Sequence, residues 1–441
     1  MRPHRIMRLL LLLPVGLCLS CHSGKTLVDE IEKTRQAGLP TTPKELQAPL
    51  PPNSQNAAPL YRQLGALLKS KPLSDDDKIA GAGVGRRRIT EDQAAPLRRA
   101  YARRGDIGNL VRQAAEMPQC VFDRDWEQGA DLLLPEYATM RLAARWLSGE
   151  SALLLYYGRT TEAIETQALG FHIASQAAKD PTLIAFLVGD AVDAITLAGM
   201  ERILYEAGNK ASVAEAVAQA IEKNWEPHSL AYGMRGEINM DLVEIEKLRT
   251  AGPSKLAQMI QGLDGNSGSQ ALKVPPVTQQ NWDRFLNDNG VNLLQHWRIM
   301  IASADKPYPE SAKAMKEILQ DLDAHRSDMN YLLLNVLLPT VDQTVDKKAH
   351  IEAIAACDLT GARVLAWKDR HGKFPEKLEE ALKTIPADPF DGKPIRYKKE
   401  GSGFVVYSVG RNGDFDGGDV NTKPDQAKET LFRYPIPEYI K

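Results

Sequence analysis

The chain has 441 residues, of which 43% are hydrophobic and 25% charged, and its formal net charge is −2. This is enough hydrophobic sequence for two or three domains with a sizeable core, which excludes a disordered polyelectrolyte. The slightly acidic balance also excludes nucleic acid as the main ligand, because phosphate binding needs a concentrated positive surface.

The first twenty residues read as a targeting segment. Arg2, Arg5 and Arg8 form a basic start, and residues 9–19 are apolar but too short to span a bilayer. Losing those three arginines leaves the remainder near −5. The segment ends Leu17-Cys18-Leu19-Ser20-Cys21, a small residue directly before a cysteine. This resembles a bacterial lipoprotein signal. The resemblance implies cleavage after Ser20, lipidation of Cys21 and a place in the bacterial cell envelope, on the periplasmic face or outer surface. Cys120 and Cys357 are then the cysteines of the mature body, too few for a disulfide framework or a Cys-rich metal site. An oxidising compartment would permit a bridge between them.

Residues 21–55 are expected to be a lipid-anchored tether, because Pro40, Pro43, Pro49, Pro51 and Pro52 interrupt regular structure. Residues 56–340 are expected to form a helical domain. Gly81-Ala-Gly-Val-Gly85 has no preceding strand, so it reads as a flexible turn rather than a phosphate loop. The arginines at 86–88, 98, 99, 103 and 104 read as a solvated helical face. Apolar residues recur at helical spacing from Tyr137 to Gly208, restarting at Asp180-Pro181. The Gly158 to Ala163 stretch resembles one tetratricopeptide-type helix–turn–helix. No second copy follows at about 34 residues, so an ordinary helical bundle is the preferred reading. Residues 331–338 are apolar, yet too short to cross a membrane.

Residues 341–441 are expected to be a small α+β module. A helix should run from about Lys347 to His371, buried on most sides, with Glu352, Arg363 and Arg370 on one polar stripe and Gly372 as its terminator. A short helix should follow, then strands at Ile395–Lys398, Phe404–Val409 and Thr430–Tyr434. The fold class expected overall is mainly α: a large helical bundle, then a short antiparallel sheet.

Within this module several motifs occur in a fixed order. They are Gly372-Lys-Phe-Pro375, Asp388-Pro-Phe-Asp-Gly-Lys-Pro394, Tyr397, Tyr407-Ser-Val-Gly410, and an Asp- and Gly-rich turn from Asp414 through Asp419. The ordered set resembles the globular head of the type II secretion major pseudopilin, over less than a quarter of the chain. The resemblance implies that fold, a calcium site in the last turn, and a protein partner in secretion or pilus-like machinery. The filament-subunit role is not implied, since the helix follows residues 1–340 rather than a processed N-terminus. Calcium also has support from the residues themselves. Asn412, Asp414, Asp416 and Asp419 offer oxygen ligands within eight residues, and the intervening glycines let backbone carbonyls turn inward. The other reading is a polar Asn-Gly turn whose aspartates face water. Asp388 and Asp391 read as turn formers before Pro389 and Gly392.

The usual catalytic templates, His-Glu-x-x-His, Gly-x-Ser-x-Gly and the Walker loop, do not occur. Asp321 and His325, one helical turn apart, read as surface partners. The function expected is recognition by an extracytoplasmic, lipid-anchored binding or assembly protein, with no nucleic acid partner. The alternatives are an envelope enzyme whose pocket gathers Glu226, His228 or His296, and a purely structural envelope protein.

Overall fold

The computed structural model describes residues 26–264, 281–338, 341–414 and 430–435. Its helices are α1 (Leu27–Gln36), α2 (Pro43–Leu46), α3 (Ala58–Ser70), α4 (Asp75–Ala82), α5 (Glu91–Arg103), α6 (Gly105–Glu116), α7 (Glu136–Tyr156), α8 (Thr160–Ala177), α9 (Leu183–Ala207), α10 (Ala211–Asn224), α11 (Leu230–Ala251), α12 (Pro253–Asp264), α13 (Trp282–Ala304), α14 (Tyr308–Ala324), α15 (Leu332–Leu337), α16 (Val341–His371) and α17 (Leu378–Ala381). Three strands follow, β1 (Arg396–Glu400), β2 (Gly403–Ser408) and β3 (Thr430–Tyr434), in one antiparallel sheet of order β1-β2-β3. The mainly helical class with a small antiparallel sheet is as the sequence indicates, and the three strands fall within a residue or two of their expected positions.

Helix α9 is the spine of the molecule. Ala185, Val188 and Val192 enter a core with α3–α8. Leu183 and Phe186 enter a second core with α1, α11, α13, α14 and α15. Leu197, Met200, Ile203 and Leu204 enter a third with α8, α10, α16 and the sheet. A helix that serves three cores has no solvent face to spare, which accounts for its apolar character all round. By length and hydropathy α9 could cross a membrane, but 67% of its most apolar window is buried by the other helices.

Residues 26–55 do not form a free tether. Thr26 caps α1, accepting from the Asp29 N–H at 3.1 Å, and the Asp29 carboxylate accepts from the Thr26 N–H. Helix α1 then docks on α13: Leu27 joins the second core and the buried Glu30 pairs with Arg298. The prolines bound short elements here instead of abolishing them, Pro43 sitting in the first turn of α2.

The arginine-rich stretch is built in only in part: Arg88, Arg98, Arg99 and Arg103 stay largely exposed, as a solvated face would be. Arg104 is buried against Asp77 and Asp106, and Arg99 and Arg103 bridge α5 to Asp76 and Asp77 of α4. Arg86 pairs with the buried Glu201 of α9. The glycine turn at 81–85 is held by the fully buried Arg202, whose Nη1 donates to the carbonyls of Val84 at 2.9 Å and Gly85 at 2.7 Å. A phosphate cradle must point N–H groups inward; this turn points carbonyls at a guanidinium.

Helix α16 is longer than expected at its start and ends at His371, with Gly372 next. It lies between α10 and the sheet. Two residues of its expected polar stripe face α10, Arg363 pairing with Glu215 and Glu222 and Arg370 with Glu215, while Glu352 pairs with Lys348 on α16 itself. On the sheet side Val406 pairs with Phe432 across β2 and β3, and Phe404, Val406 and Phe432 alternate into the third core. Phe432 also stacks on Tyr205 of α9, centroids 5.3 Å apart. Much of α16 and the sheet therefore shares a hydrophobic core with α8, α9 and α10 of the helical body. Cys120 and Cys357 are both free and lie buried in different cores, so no bridge joins them.

Candidate functional site

The ordered motifs of the C-terminal region bond to one another. Asp388 forms a tight turn: its N–H donates to the Lys393 carbonyl at 2.7 Å, and its own carbonyl accepts from the Gly392 N–H at 2.8 Å. Asp388 Oδ1 accepts from the Phe390 N–H at 3.0 Å, and Asp391 Oδ1 accepts from the Lys393 N–H at 3.0 Å. The reading of both aspartates as turn formers matches this geometry. Arg396 of β1 then clamps both carboxylates, and its guanidinium holds the Asp391 carboxyl below the usual range. Asp388 also reaches β2, accepting from Ser408 Oγ at 2.8 Å and from the Val409 N–H at 2.9 Å. Tyr397 closes the set by donating its hydroxyl to the Pro375 carbonyl at 2.9 Å.

This framework delivers the chain to the Asp/Gly turn. The Gly410 N–H donates to Ser408 Oγ at 3.2 Å, and the Gly413 N–H donates to the Gly410 carbonyl at 3.3 Å. Gly410 and Gly413 have φ of 64° and 79°, a left-handed conformation in which a Cβ would be strained. Asn412 and Asp414 come together there, both exposed, with Asn412 Oδ1 accepting from the Asp414 N–H at 3.3 Å. Two exposed hard oxygens on a glycine-permitted turn suit calcium chemically, though they are fewer than the six to eight oxygens it takes. Asp416, Asp419 and the lipidation candidate Cys21 lie outside the described residues. Among the described residues no group of three or more His, Cys, Asp or Glu is placed to hold a metal ion. Arg411 is drawn back to α16 by an ion pair with Asp346 at 2.8 Å.

A second arrangement lies in the helical body. A cavity of about 740 Å³ opens between α8, α9 and the 223–229 connection, and it is lined by His172, Lys179, Asp193, Glu226 and His228 among others. His228 Nε2 lies 3.1 Å from Asp193 Oδ2, and both side chains are nearly buried. The ring fits because α9 has glycine at 189: an added Cβ would meet His228 Cδ2 at 2.9 Å. Burial opposes the charged imidazole, but the close Asp193 carboxylate, with Asp190 beside it, outweighs that and raises the His228 pKa. Burial raises Asp193 too, and pushes Asp190 up to about 7, partly offset by His228. Asp190 does not line this cavity, so proton transfer here would fall to the His228–Asp193 pair.

Of the residues singled out for an enzyme pocket, Glu226 and His228 meet here and His296 does not. His296 is buried in the second core, its Nε2 3.0 Å from Asp321 and its Nδ1 2.7 Å from the Asn292 carbonyl. His325 contacts the same Asp321 at 3.2 Å and stacks on Tyr331. Sequence reasoning missed Gly189, Asp190 and Asp193. The available signal was three non-apolar positions on one side of the most apolar helix of the chain, where an unpaired charge is costly.

Comparison with protein-family models, with curated proteins and with solved structures finds no match to this chain.

Proposed function

We propose that this is an extracytoplasmic, lipid-anchored binding or assembly protein whose C-terminal region is a pseudopilin-like, calcium-binding head. Its partner is a protein of the cell envelope, in secretion or pilus-like machinery, and the anchor is a lipid on Cys21. The observation that carries this reading is the bonding of Asp388 to Ser408 and Val409, with Tyr397 bonded to Pro375. The motifs that prompt the resemblance are tied by these bonds into one frame, which leads into the exposed Asn412 and Asp414. Calcium on Asn412, Asp414, Asp416 and Asp419 would stiffen that turn and fix the surface it presents. The helical domain is an ordinary bundle in this reading, with one tetratricopeptide-like turn at Gly158 to Ala163, and it could supply a groove for a partner helix or peptide.

The test uses the full-length protein in detergent. Calcium is expected to raise its thermal midpoint, and D414N/D416N to abolish the rise. Co-purification from solubilised membranes with and without calcium should recover envelope components in the calcium arm. Recovery of none in either arm removes the assembly role. Unchanged membrane partitioning of Cys21→Ser removes the anchor.

The His228–Asp193 cavity favours a second reading, an envelope enzyme with its active site in the helical body. It predicts turnover of some ester, amide, phosphoester or glycoside model substrate that His228→Asn and Asp193→Asn both lose. Identical activity of wild type and variants across all four classes overturns it.

A further inference from the structure

A separate cleft of about 680 Å³ runs between α9 and α16. Its walls come from matching helical stripes, Leu187, Asp190, Ala191 and Ala194 on α9 and Gln343, Lys347, His350 and Ile351 on α16, and Phe390 and Thr430 close one end. The volume is that of a small-molecule site. The floor carries an unanswered group. Asp190 lines the cleft and is 7% exposed, and its sealed Oδ2 has no hydrogen-bond partner among the described residues. Buried carboxylate oxygens are normally satisfied, since leaving one bare in a low-dielectric site is costly.

The other polar groups around the cleft are accounted for. His350 Nδ1 bonds Thr430 Oγ1 at 2.9 Å, and burial lowers the ring to about 4, so it is neutral at physiological pH. Asp346 is paired with Arg411 and accepts from the Tyr308 hydroxyl at 2.7 Å. Lys347 is exposed at the rim. Behind the floor, the charges nearest Asp190 are Asp193 on α9, His228, and Lys348 and Glu352 on α16. His228 is paired with Asp193, and Lys348 with Glu352 at 2.7 Å.

We propose that this cleft binds a small ligand carrying a protonated amine on an apolar body. The ammonium pairs with the Asp190 carboxylate, and the apolar part lies along Leu187, Ala191, Ala194 and Ile351 beside Phe390. An anion would meet the Asp190 carboxylate with like charge. A divalent cation would find one carboxylate at depth where it needs several oxygens. An ammonium gives the buried acceptor a charge-assisted partner, and its stem matches the apolar walls. The inference does not depend on the calcium turn or on the envelope partner.

The experiment is calorimetry on the full-length protein with n-hexylamine, n-hexanol and n-hexanoate as probes. Hexylamine is expected to bind about tenfold or more tightly than either control, the size of one buried charge-assisted hydrogen bond. Its affinity should rise from pH 6 to pH 8 as Asp190 gives up its proton. Asp190→Asn, isosteric with the protonated acid, should erase both the preference and the pH dependence. Ala194→Phe, which keeps Asp190 and fills the cleft, should block binding and serves if the first variant folds poorly. Equal binding of hexanol, preference for hexanoate, absence of binding by all three, or retention of hexylamine binding by Asp190→Asn each overturns the proposal.

Discussion

Asp388 and Ser408, twenty residues apart, are joined by a 2.8 Å hydrogen bond from Ser408 Oγ to Asp388 Oδ1. The bond ties the Asp-Pro-Phe-Asp-Gly-Lys-Pro turn to the end of β2, and the neighbouring Val409 N–H donates to the other carboxylate oxygen. Two motifs that look like independent punctuation in the sequence are thus halves of one junction. Asp388→Ala would strip the acceptor from Ser408, Val409, Phe390 and Arg396 together, inside the protein. The expected cost is about 3–5 kcal/mol, as for breaking a buried ion pair from one side. Ser408→Ala removes a single bond and should cost about 1 kcal/mol. Urea denaturation of both variants checks the ratio; comparable losses would mean that Asp388 does not carry the junction.

The Arg86–Glu201 pair makes the same argument in the helical body. Tyr205 donates to Glu201 Oε1 at 2.6 Å, and Asp358 of α16 is close enough that its charge would repel Glu201. Burial, with Glu201 adding to it, pushes the Asp358 carboxyl well above the ordinary range. Of the two carboxyls Asp358 is the one expected to keep the proton, leaving Arg86 to balance Glu201. Arg86→Met should lose about 3–5 kcal/mol by leaving a buried carboxylate unpaired. Asp358→Asn, which mimics the protonated acid, should stay within about 1 kcal/mol of wild type. A large loss in Asp358→Asn would show that Asp358 is ionised.

What could be read from the sequence follows from the range of the interaction. Strands β2 and β3 and the end of α16 are set by local patterning, β-branched and aromatic residues and a glycine stop, and they were legible, with β1 located by the turn that follows it. So were the turns at Asp388 and Asp391, whose partners lie within five residues. The docking of α1 was not, because Glu30 is an ordinary helical glutamate until Arg298, 268 residues away, meets it. The fate of the arginine run was hidden for the same reason. Arg86 and Arg104 look like their solvated neighbours, and only the fold separates them. His228 was visible as a candidate, but its partner Asp193 is recognised only when α9 is seen to be buried.

Stability should fall as pH rises through the weakly acidic range. Burial raises the Glu237 carboxyl to about 7 and Asp190 to about 7, against 4.5 and 3.8 unperturbed. Asp241, one turn beyond Glu237 on α11, is raised further by burial, although Trp297 Nε1 donates to it at 2.6 Å. Between the unfolded and folded values the native state holds protons that the unfolded chain has released. The stability these groups contribute is complete below their unfolded pKa and is lost as pH rises through the folded one. Each adds a negative slope of up to about 1 kcal/mol per pH unit in that window. Glu237→Gln removes its share, so its urea midpoint should fall less than that of wild type from pH 5 to pH 7. Parallel pH profiles would contradict the assignment.

Gly189 gives the sharpest test of the His228–Asp193 pair, because two effects oppose each other there. In an exposed helix, glycine to alanine stabilises by about 1 kcal/mol. At position 189 the new methyl would lie 2.9 Å from His228 Cδ2, 3.0 Å from its Nε2 and 3.1 Å from Ala178 Cβ. The imidazole must shift, and moving it away from Asp193 removes the contact that raises its pKa while burial still opposes its charge. The overpacking term, about 1–3 kcal/mol, should win over helix propensity. Gly189→Ala is thus expected to lower the thermal midpoint and to shift the His228 titration, followed by NMR on carbon-13-labelled histidine, to lower pH. A higher midpoint with an unmoved titration would mean that the ring does not rest on Gly189, and the cavity would lose its only buried imidazole–carboxylate pair among the described residues.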